Sequence, residues 1–117
     1  MPSRSERRRP LCAYRLMWLF AMFDLPVGTQ DQRRTHARFR KILKQAGFGR
    51  IQLSVSARHC PNEDQIKVHM DHVRQLLPAQ GEVRMLAVTD RQFGRMESYF
   101  GEKRQPNEAA PTQLMLF

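Results

Sequence analysis

One aspartate is the sharpest candidate for metal chemistry. Asp24 ends a run of bulky apolar residues and comes directly before Leu25 and Pro26, where the chain leaves a predicted strand. A carboxylate at that point faces a sheet edge or an interface between chains. Mg²⁺ binds one or two carboxylates and keeps several waters, and a metal-bound water can attack a phosphodiester. A two-fold dimer that brought two copies of Asp24 together would supply such a site.

Asp24 also has a purely structural interpretation. An aspartate at the end of a strand can accept hydrogen bonds from backbone amides in the turn that follows, here the turn at residues 26–28. The spacing of the residues fits both interpretations, and both stay open at this stage.

The histidines and cysteines are weaker candidates. His69 and His72 have a spacing that metal ligands on a helix can have, but no third ligand lies near them in the sequence. His59 and Cys60 are neighbours on a predicted strand and should point to opposite faces, which argues against a Cys–His catalytic pair. With only one further cysteine, Cys12, the chain is expected to keep reduced thiols in the cytoplasm.

A predicted helix over residues 29–46 carries the strongest electrostatic signal. Cations crowd its outer face, and pairs four residues apart, such as Arg34 and Arg38, repel each other. A bound polyanion would offset that repulsion, and arginine and lysine favour phosphates over base edges. A merely solvated face is the alternative. The predicted nucleic-acid-binding residues are Arg33, Arg34, Arg40, Lys41 and Lys44.

Length and net charge narrow the class of protein. The 117 residues exclude a large two-domain enzyme, and 20 Lys and Arg against 11 Asp and Glu give a net charge of +9. A small basic domain usually meets a polyanion, with nucleic acid the first candidate and an anionic membrane surface the second. The apolar run at residues 16–23 is too short to span a bilayer and has no signal-peptide cleavage site, so we predict no membrane partner.

The elements that must position these residues follow from apolar patterning. We predict strands at residues 14–24 and 82–89, with one strand or two short ones over 51–58. The first helix begins with a capping box at Thr29 and Gln32, and the second begins at Asn62 and ends at Pro78 and Gly81. This order is typical of an α+β, ferredoxin-like βαββαβ sandwich.

Three segments make up the predicted domain organisation. Residues 1–13 form a basic arm, which is predicted to be disordered and to be either solvated or in contact with phosphates. Residues 14–100 form the ferredoxin-like domain, in which segment 90–100 is predicted to pack against the rest of the domain. Residues 101–117 form a polar linker followed by a C-terminal strand that docks on a partner or across a dimer. The docking residues are Leu114, Met115, Leu116 and Phe117.

Several motifs together resemble a known family. They are the run MWLFAMFDLPV at residues 17–27, RFRK at 38–41 before Gly47 and Phe48, QLSV at 52–55 with RHC at 58–60, TDRQFGRM at 89–96 and the closing QLMLF. In this order they are similar to the Cas-two family of small CRISPR-associated adaptation proteins. The form they resemble is the one found beside the large RNA-guided nuclease, type II and subtype C. The resemblance covers residues 14–117.

The resemblance implies a homodimer packed through its sheets, with the C-terminal strand added across the dimer. It implies a bridge between two Cas-one integrase dimers that holds duplex protospacer DNA before insertion into the CRISPR array. It also implies an Mg²⁺-dependent endonuclease acting on single-stranded RNA or duplex DNA, with Asp24 as the catalytic and metal-binding residue. Many members have tyrosine before that aspartate, where this chain has Phe23.

Two functions from different classes therefore compete. The first is an adaptor that holds DNA and integrase without chemistry of its own, which the basic helix and the apolar C-terminus favour. The second is a metal-dependent nuclease, which Asp24 favours. A third interpretation, an RNA-binding module of the same fold without a CRISPR role, requires stacking aromatic residues on its strands, and residues 52–58 have none.

Overall fold

The computed structural model describes residues 16–105, in which the first four strands and the two long helices follow one another in the predicted order. The elements are β1 (Met17–Asp24), α1 (Gln30–Gln45), β2 (Gly49–Gln52), β3 (Val55–Cys60), α2 (Glu63–Arg74), β4 (Glu82–Thr89), α3 (Asp90–Gly94), β5 (Ser98–Phe100) and β6 (Lys103–Gln105). The predicted basic arm at residues 1–13 and the docking residues at 114–117 lie outside the described part of the chain.

Four strands form one antiparallel sheet in the order β2-β3-β1-β4. The two central strands are the first and third along the chain, and the two long helices connect the strand pairs. This is the ferredoxin-like βαββαβ arrangement, which confirms the predicted α+β fold. β5 and β6 pair with each other as a separate antiparallel hairpin. The polar segment predicted to be a linker from residue 101 thus contains a strand at its start.

α1 and α2 begin where the sequence predicts, because the predicted capping side chains accept hydrogen bonds from the free amides of the first turn. Thr29 Oγ1 accepts a hydrogen bond from the Gln32 amide at 3.1 Å, and Gln32 Oε1 accepts one from the Thr29 amide at 3.0 Å. Asn62 Oδ1 accepts from the Gln65 amide at 2.9 Å in the same way at the start of α2. α2 ends at Arg74, earlier than the predicted stop at Pro78.

The segment over residues 51–58 contains two strands instead of one. Leu53 and Ser54 form the turn between β2 and β3, and the register shifts between Arg50 and Gln52. Neither turn residue is a glycine or proline, so turn chemistry gives no signal for this position.

The main core lies between the sheet and the two long helices. β1 runs through its centre and contributes side chains that are almost wholly buried. A core of this kind is stabilised chiefly by removal of apolar surface from water. Its buried members are Leu19, Ala21, Phe23, Leu25, Phe39, Leu43, Phe48, Cys60, Ile66 and Val73.

A smaller cluster covers one end of the opposite sheet face. The ring of Phe93, on α3, stacks on Trp18 with centroids 4.4 Å apart, and the Trp18 indole Nε1 donates to Asp90 Oδ1 at 2.7 Å. The prediction that segment 90–100 packs is confirmed for Phe93 and for Met96, which is half-buried. It is wrong for Phe100, which is 79% exposed on the β5–β6 hairpin, because that hairpin pairs with no other described strand.

The remainder of this sheet face is left uncovered by the described residues. Met22 and Val55 lie opposite each other in the ladder, and Leu86 lies opposite Phe20 on the far side of β1. Leu86 is 52% exposed, an unusual position for a leucine in the middle of a sheet face. We call Met22, Val55 and Leu86 the open patch. No helix in the described range 16–105 is both long enough and apolar enough to cross a membrane.

Replacement of Phe93 tests whether α3 holds the covered end of this face. Phe93→Ala removes a ring that is 5% exposed and should lower the free energy of unfolding by about 3–5 kcal/mol. Phe93→Leu keeps most of the volume and should lower it by roughly 1–1.5 kcal/mol. Urea denaturation measures both changes. Equal, small losses for the two variants would show that the ring does not hold α3 on the sheet.

Candidate functional site

Asp24 stands exposed at the end of β1, on the margin of the open patch. Its register partner across the ladder is Glu82, so the two acidic residues lie side by side where β1 ends and β4 begins. The Asp24 carboxylate makes no hydrogen bond or ion pair with any residue in the range 16–105, and the turn-stabilising alternative is therefore not seen. Glu82 Oε2 accepts a hydrogen bond from Arg84 Nη2 at 3.1 Å.

Gly81 fixes the backbone that carries Asp24. Its φ of +96° is readily adopted only by glycine, and an added Cβ would lie 2.8 Å from the Asp24 carbonyl oxygen and 2.6 Å from Leu25 Cδ2. The loop between α2 and β4 therefore closes tightly on the end of β1. This close approach sets where the Asp24 side chain leaves the sheet.

The carboxylates of this margin fit a divalent cation only in part. An exposed Asp24, with Glu82 across the ladder, meets the preference of Mg²⁺ for one or two carboxylates completed by water. Within residues 16–105 no group of three or more His, Cys, Asp or Glu side chains could hold a metal ion. Further ligands would have to come from water, from a phosphate or from a second copy of the chain.

The other titratable candidates have local explanations. Burial raises the pKa of the Cys60 thiol, against the opposing effect of Arg58, so Cys60 is a protonated core residue. His59 is exposed on the other face of β3, which agrees with the predicted separation of the two side chains. Burial, followed by the charges of Arg58 and His72, lowers the pKa of His69.

Four of the five predicted nucleic-acid-binding residues share an exposed surface of α1. Arg33 Nη1 donates to the Val27 carbonyl at 3.1 Å, and Arg34 Nη1 lies 3.4 Å from Asp31 Oδ1 in an exposed ion pair. Such a pair contributes little stability in water, so the Arg34 charge stays available. We call the exposed group the basic face; its members are Arg33, Arg34, Lys41 and Lys44.

Arg40, the fifth predicted residue, lies one helical turn before Lys44, at the edge of the basic face. It is half-buried, and its Nε is buried without a hydrogen-bond partner among the described residues. One turn earlier, buried His36 forms a 3.3 Å hydrogen bond between its Nε2 and Ser54 Oγ, which ties α1 to the β2–β3 turn. Burial, and then the nearby charge of Arg40, lowers the pKa of His36. Arg40 is thus on the flank of α1 that faces this turn.

A cavity of about 370 Å³ opens at the Asp24 end of the molecule, between α1 and the loop that leads to β4. Neither this cavity nor the open patch was predicted from the sequence. Pro26, Pro78 and Gly81 mark the two loops that form it, but residue types do not reveal that the loops face each other across a gap. Its lining residues are Leu25, Pro26, Asp31, Gln32, Thr35, Arg38, Pro78, Ala79 and Gln80.

Comparisons with known proteins agree with this fold and extend to most of the chain. Residues 17–96 match the family described as CRISPR associated protein Cas2. This range runs from the start of β1 through α3 and includes Asp24, the basic face and every residue that lines the cavity.

Named relatives match over nearly their whole length. A CRISPR-associated endoribonuclease Cas2 of Parvibaculum lavamentivorans is 50% identical over 101 residues, which cover 86% of this chain and 100% of that protein. Proteins of the same name from Paracidovorax avenae and Flavobacterium psychrophilum are 43% and 36% identical, over 92% and 96% of this chain and 99% and 97% of theirs. The chain belongs to the CRISPR-associated Cas2 family.

Proposed function

We propose that this protein acts in CRISPR adaptation, the acquisition of new spacers, as a homodimer that holds duplex DNA and bridges two Cas-one integrase dimers. Membership of the Cas2 family supports the CRISPR role. The dimer and the DNA binding are supported by one observation, the presence of two separate surfaces on one small domain. One is an uncovered apolar patch on the sheet, and the other is a basic face on a helix that packs on the opposite side.

The open patch supports the homodimer. Contiguous exposed apolar surface on a soluble domain usually marks an interface, and a two-fold dimer would cover the same patch on both copies. Leu86 stands where such a contact would bury it. The β5–β6 hairpin also exposes Tyr99 and Phe100, and contact with a second copy would cover these two rings. The residues 114–117 are proposed to add a strand across the same dimer.

The basic face supports binding of the DNA backbone. Lys41 and Lys44 form no ion pair within the described range, and they share their surface of α1 with Arg33 and Arg34. Phosphates would neutralise this crowding of like charges, and release of counterions from DNA would drive the association. RNA offers the same phosphates and is a further candidate ligand.

A nuclease activity is the second candidate, because relatives carry the name endoribonuclease. A bound Mg²⁺ would polarise a phosphodiester and supply a bound water as nucleophile. Asp24 would hold the ion, with Glu82 as a second carboxylate beside it across the ladder. Because Asp24 lies on the margin of the open patch, a dimer formed through that patch would place both copies of Asp24 at one interface.

An RNA-binding module that displays bases on its sheet is less well supported. Such modules stack bases on exposed aromatic side chains of the central strands. In this protein Trp18 is buried beneath α3, and the Phe20 ring lies 5.7 Å from the Phe93 ring in the same cluster. The open patch contains no aromatic side chain, and its exposed neighbours across the ladder are the charged residues Arg84 and Glu82.

Asp24→Asn tests the metal role, because it keeps the shape of the side chain and removes its charge. Mg²⁺-dependent cleavage of single-stranded RNA or duplex DNA should fall by at least about 100-fold, because the ion would lose a ligand. DNA affinity should change less than about twofold, because the basic face is untouched. The matched control is Asp31→Asn, at another exposed aspartate, which should retain full cleavage. Cleavage by Asp24→Asn at the wild-type rate would exclude Asp24 as a metal ligand.

Charge reversal on α1 tests the DNA surface. Replacing Arg34, Lys41 and Lys44 by glutamate should make the slope of log K against log salt less steep by about 3, at about 0.9 for each lost phosphate contact. Fluorescence anisotropy with a labelled duplex measures the slope. The control reverses three exposed cations elsewhere, namely Lys67, Arg91 and Lys103, and changes the net charge equally. An equal effect from both triple variants would show that net charge, and not the basic face, determines binding.

A further inference from the structure

One end of the open patch has a small cluster of contacts directly behind it, on the helix side of the sheet. Met22 and Val55 are register partners on the patch side. Their neighbours in sequence, Phe23 and Ser54, make their side-chain contacts on the helix side, where both meet His36 of α1. Successive residues of a strand point to opposite faces, so whatever holds Phe23 and Ser54 also sets the position of the patch residues next to them.

The β2–β3 turn is positioned by contacts from other elements. The register shifts between Arg50 and Gln52, so regular pairing of β2 with β3 is interrupted just before the turn, which has neither glycine nor proline. The Phe23 amide donates to the Ser54 carbonyl at 3.0 Å, beyond the last register pair of β1 and β3. This backbone hydrogen bond ties the turn to β1.

His36 contacts both partners of that backbone hydrogen bond. Its ring centroid lies 5.4 Å from that of Phe23, and its Nε2 forms a 3.3 Å hydrogen bond with Ser54 Oγ. Burial, and then the charge of Arg40, lowers the pKa of His36, so the ring is neutral at neutral pH and can serve Ser54 as donor or as acceptor. Because His36 is only 8% exposed, loss of this partner would leave a buried polar group unsatisfied.

We propose that His36 is a positioning residue for the open patch: it holds the β2–β3 turn against β1, and thereby fixes the Met22–Val55 pair in the arrangement that a second copy would contact. The inference rests on the proposed homodimer, but it names a residue that lies behind the interface. The buried centre of an interface is packed as closely as a protein interior, so a turn that shifts Val55 would weaken the contact.

Hydrogen exchange of the Phe23 amide tests whether His36 holds the turn. His36→Leu keeps a large side chain in the core and removes the hydrogen bond to Ser54. In the full chain, the Phe23 amide should then exchange about fivefold faster relative to amides in the middle of β1, which corresponds to ~1 kcal/mol for one hydrogen bond. Ser54→Ala should have the same effect, and the double variant should add nothing further. Unaltered exchange in both single variants would overturn the proposal.

The dissociation constant of the dimer tests whether the turn positions the patch. Sedimentation equilibrium over a dilution series should show a dimer about fivefold weaker for His36→Leu and for Ser54→Ala. His36→Gln should stay within about twofold of the wild type, because the glutamine amide offers Ser54 both a donor and an acceptor. A His36→Gln dimer as weak as that of His36→Leu would contradict the proposal, because the hydrogen bond would then not be what positions the patch.

Val73→Ala is the matched control for a loss of stability. Val73 is 1% exposed in the core on α2, and its truncation should lower the free energy of unfolding while both readouts stay at their wild-type values. Equal weakening of the dimer by Val73→Ala and His36→Leu would overturn the proposal, because general stability would then govern dimerisation.

The oligomeric state of the wild type separates this proposal from the homodimer on which it rests. If the wild type is a dimer and His36→Leu dimerises equally well, the positioning role is wrong and the homodimer stands. If the wild type is a monomer, both are wrong.

Discussion

The architecture depends on a constraint set by one strand. β1 carries large apolar side chains on both of its faces, with Trp18 on one and Leu19 on the other, and both are buried. α1 and α2 cover the face that holds Leu19. On the face that holds Trp18, the only cover within the described residues is the short α3, which reaches no further than Phe20 along β1. Each apolar side chain left in water forgoes about 25 cal/mol per Å² of stabilisation, so the open patch favours a second chain.

This division places the proposed DNA-binding surface on one side of the sheet and the proposed dimer and metal-binding surfaces on the other. The basic face lies on the helix side, the open patch and Asp24 lie on the other side, and the cavity opens at the end where β1 stops. A dimer formed through the open patch would leave the basic faces of both copies free for DNA. DNA binding and metal binding would then use separate residues, so a single substitution could remove one and keep the other.

Local chemistry made much of the fold predictable. Thr29 with Gln32, and Asn62 with Gln65, satisfy free amides within one turn, so the starts of α1 and α2 follow from residue types alone. Thr89 and Gln92 form an equivalent capping box, which is a signal for α3 that the sequence interpretation missed. The other differences arise where long-range packing decides.

Contacts between residues distant in the sequence determine the features that could not be predicted. The β2–β3 turn has no glycine or proline, and its Ser54 is bonded to residues distant in the sequence, namely the His36 side chain and the Phe23 backbone amide. Arg40 lies at the edge of the cationic surface, and its place beside His36 leaves it half-buried, which residue types alone do not reveal. The cavity at Arg38 requires two distant loops to meet, and no spacing of residue types encodes that meeting. Asp24 could be placed at the end of a strand because strand ends are local features, but the sequence left open whether its carboxylate bonds to the turn that follows.

The mass of the protein in solution tests the central claim, that the open patch is a dimer interface, most directly. Light scattering at tens of micromolar should give twice the 13.8 kDa mass of one chain. Leu86→Arg should reduce it to the mass of one chain, because a charge would then be buried in the interface without a partner. Val68→Arg, at a residue 54% exposed on α2 against 52% for Leu86, should leave the dimer intact. A monomeric wild-type protein, or a Leu86→Arg variant that stays dimeric, would contradict the account.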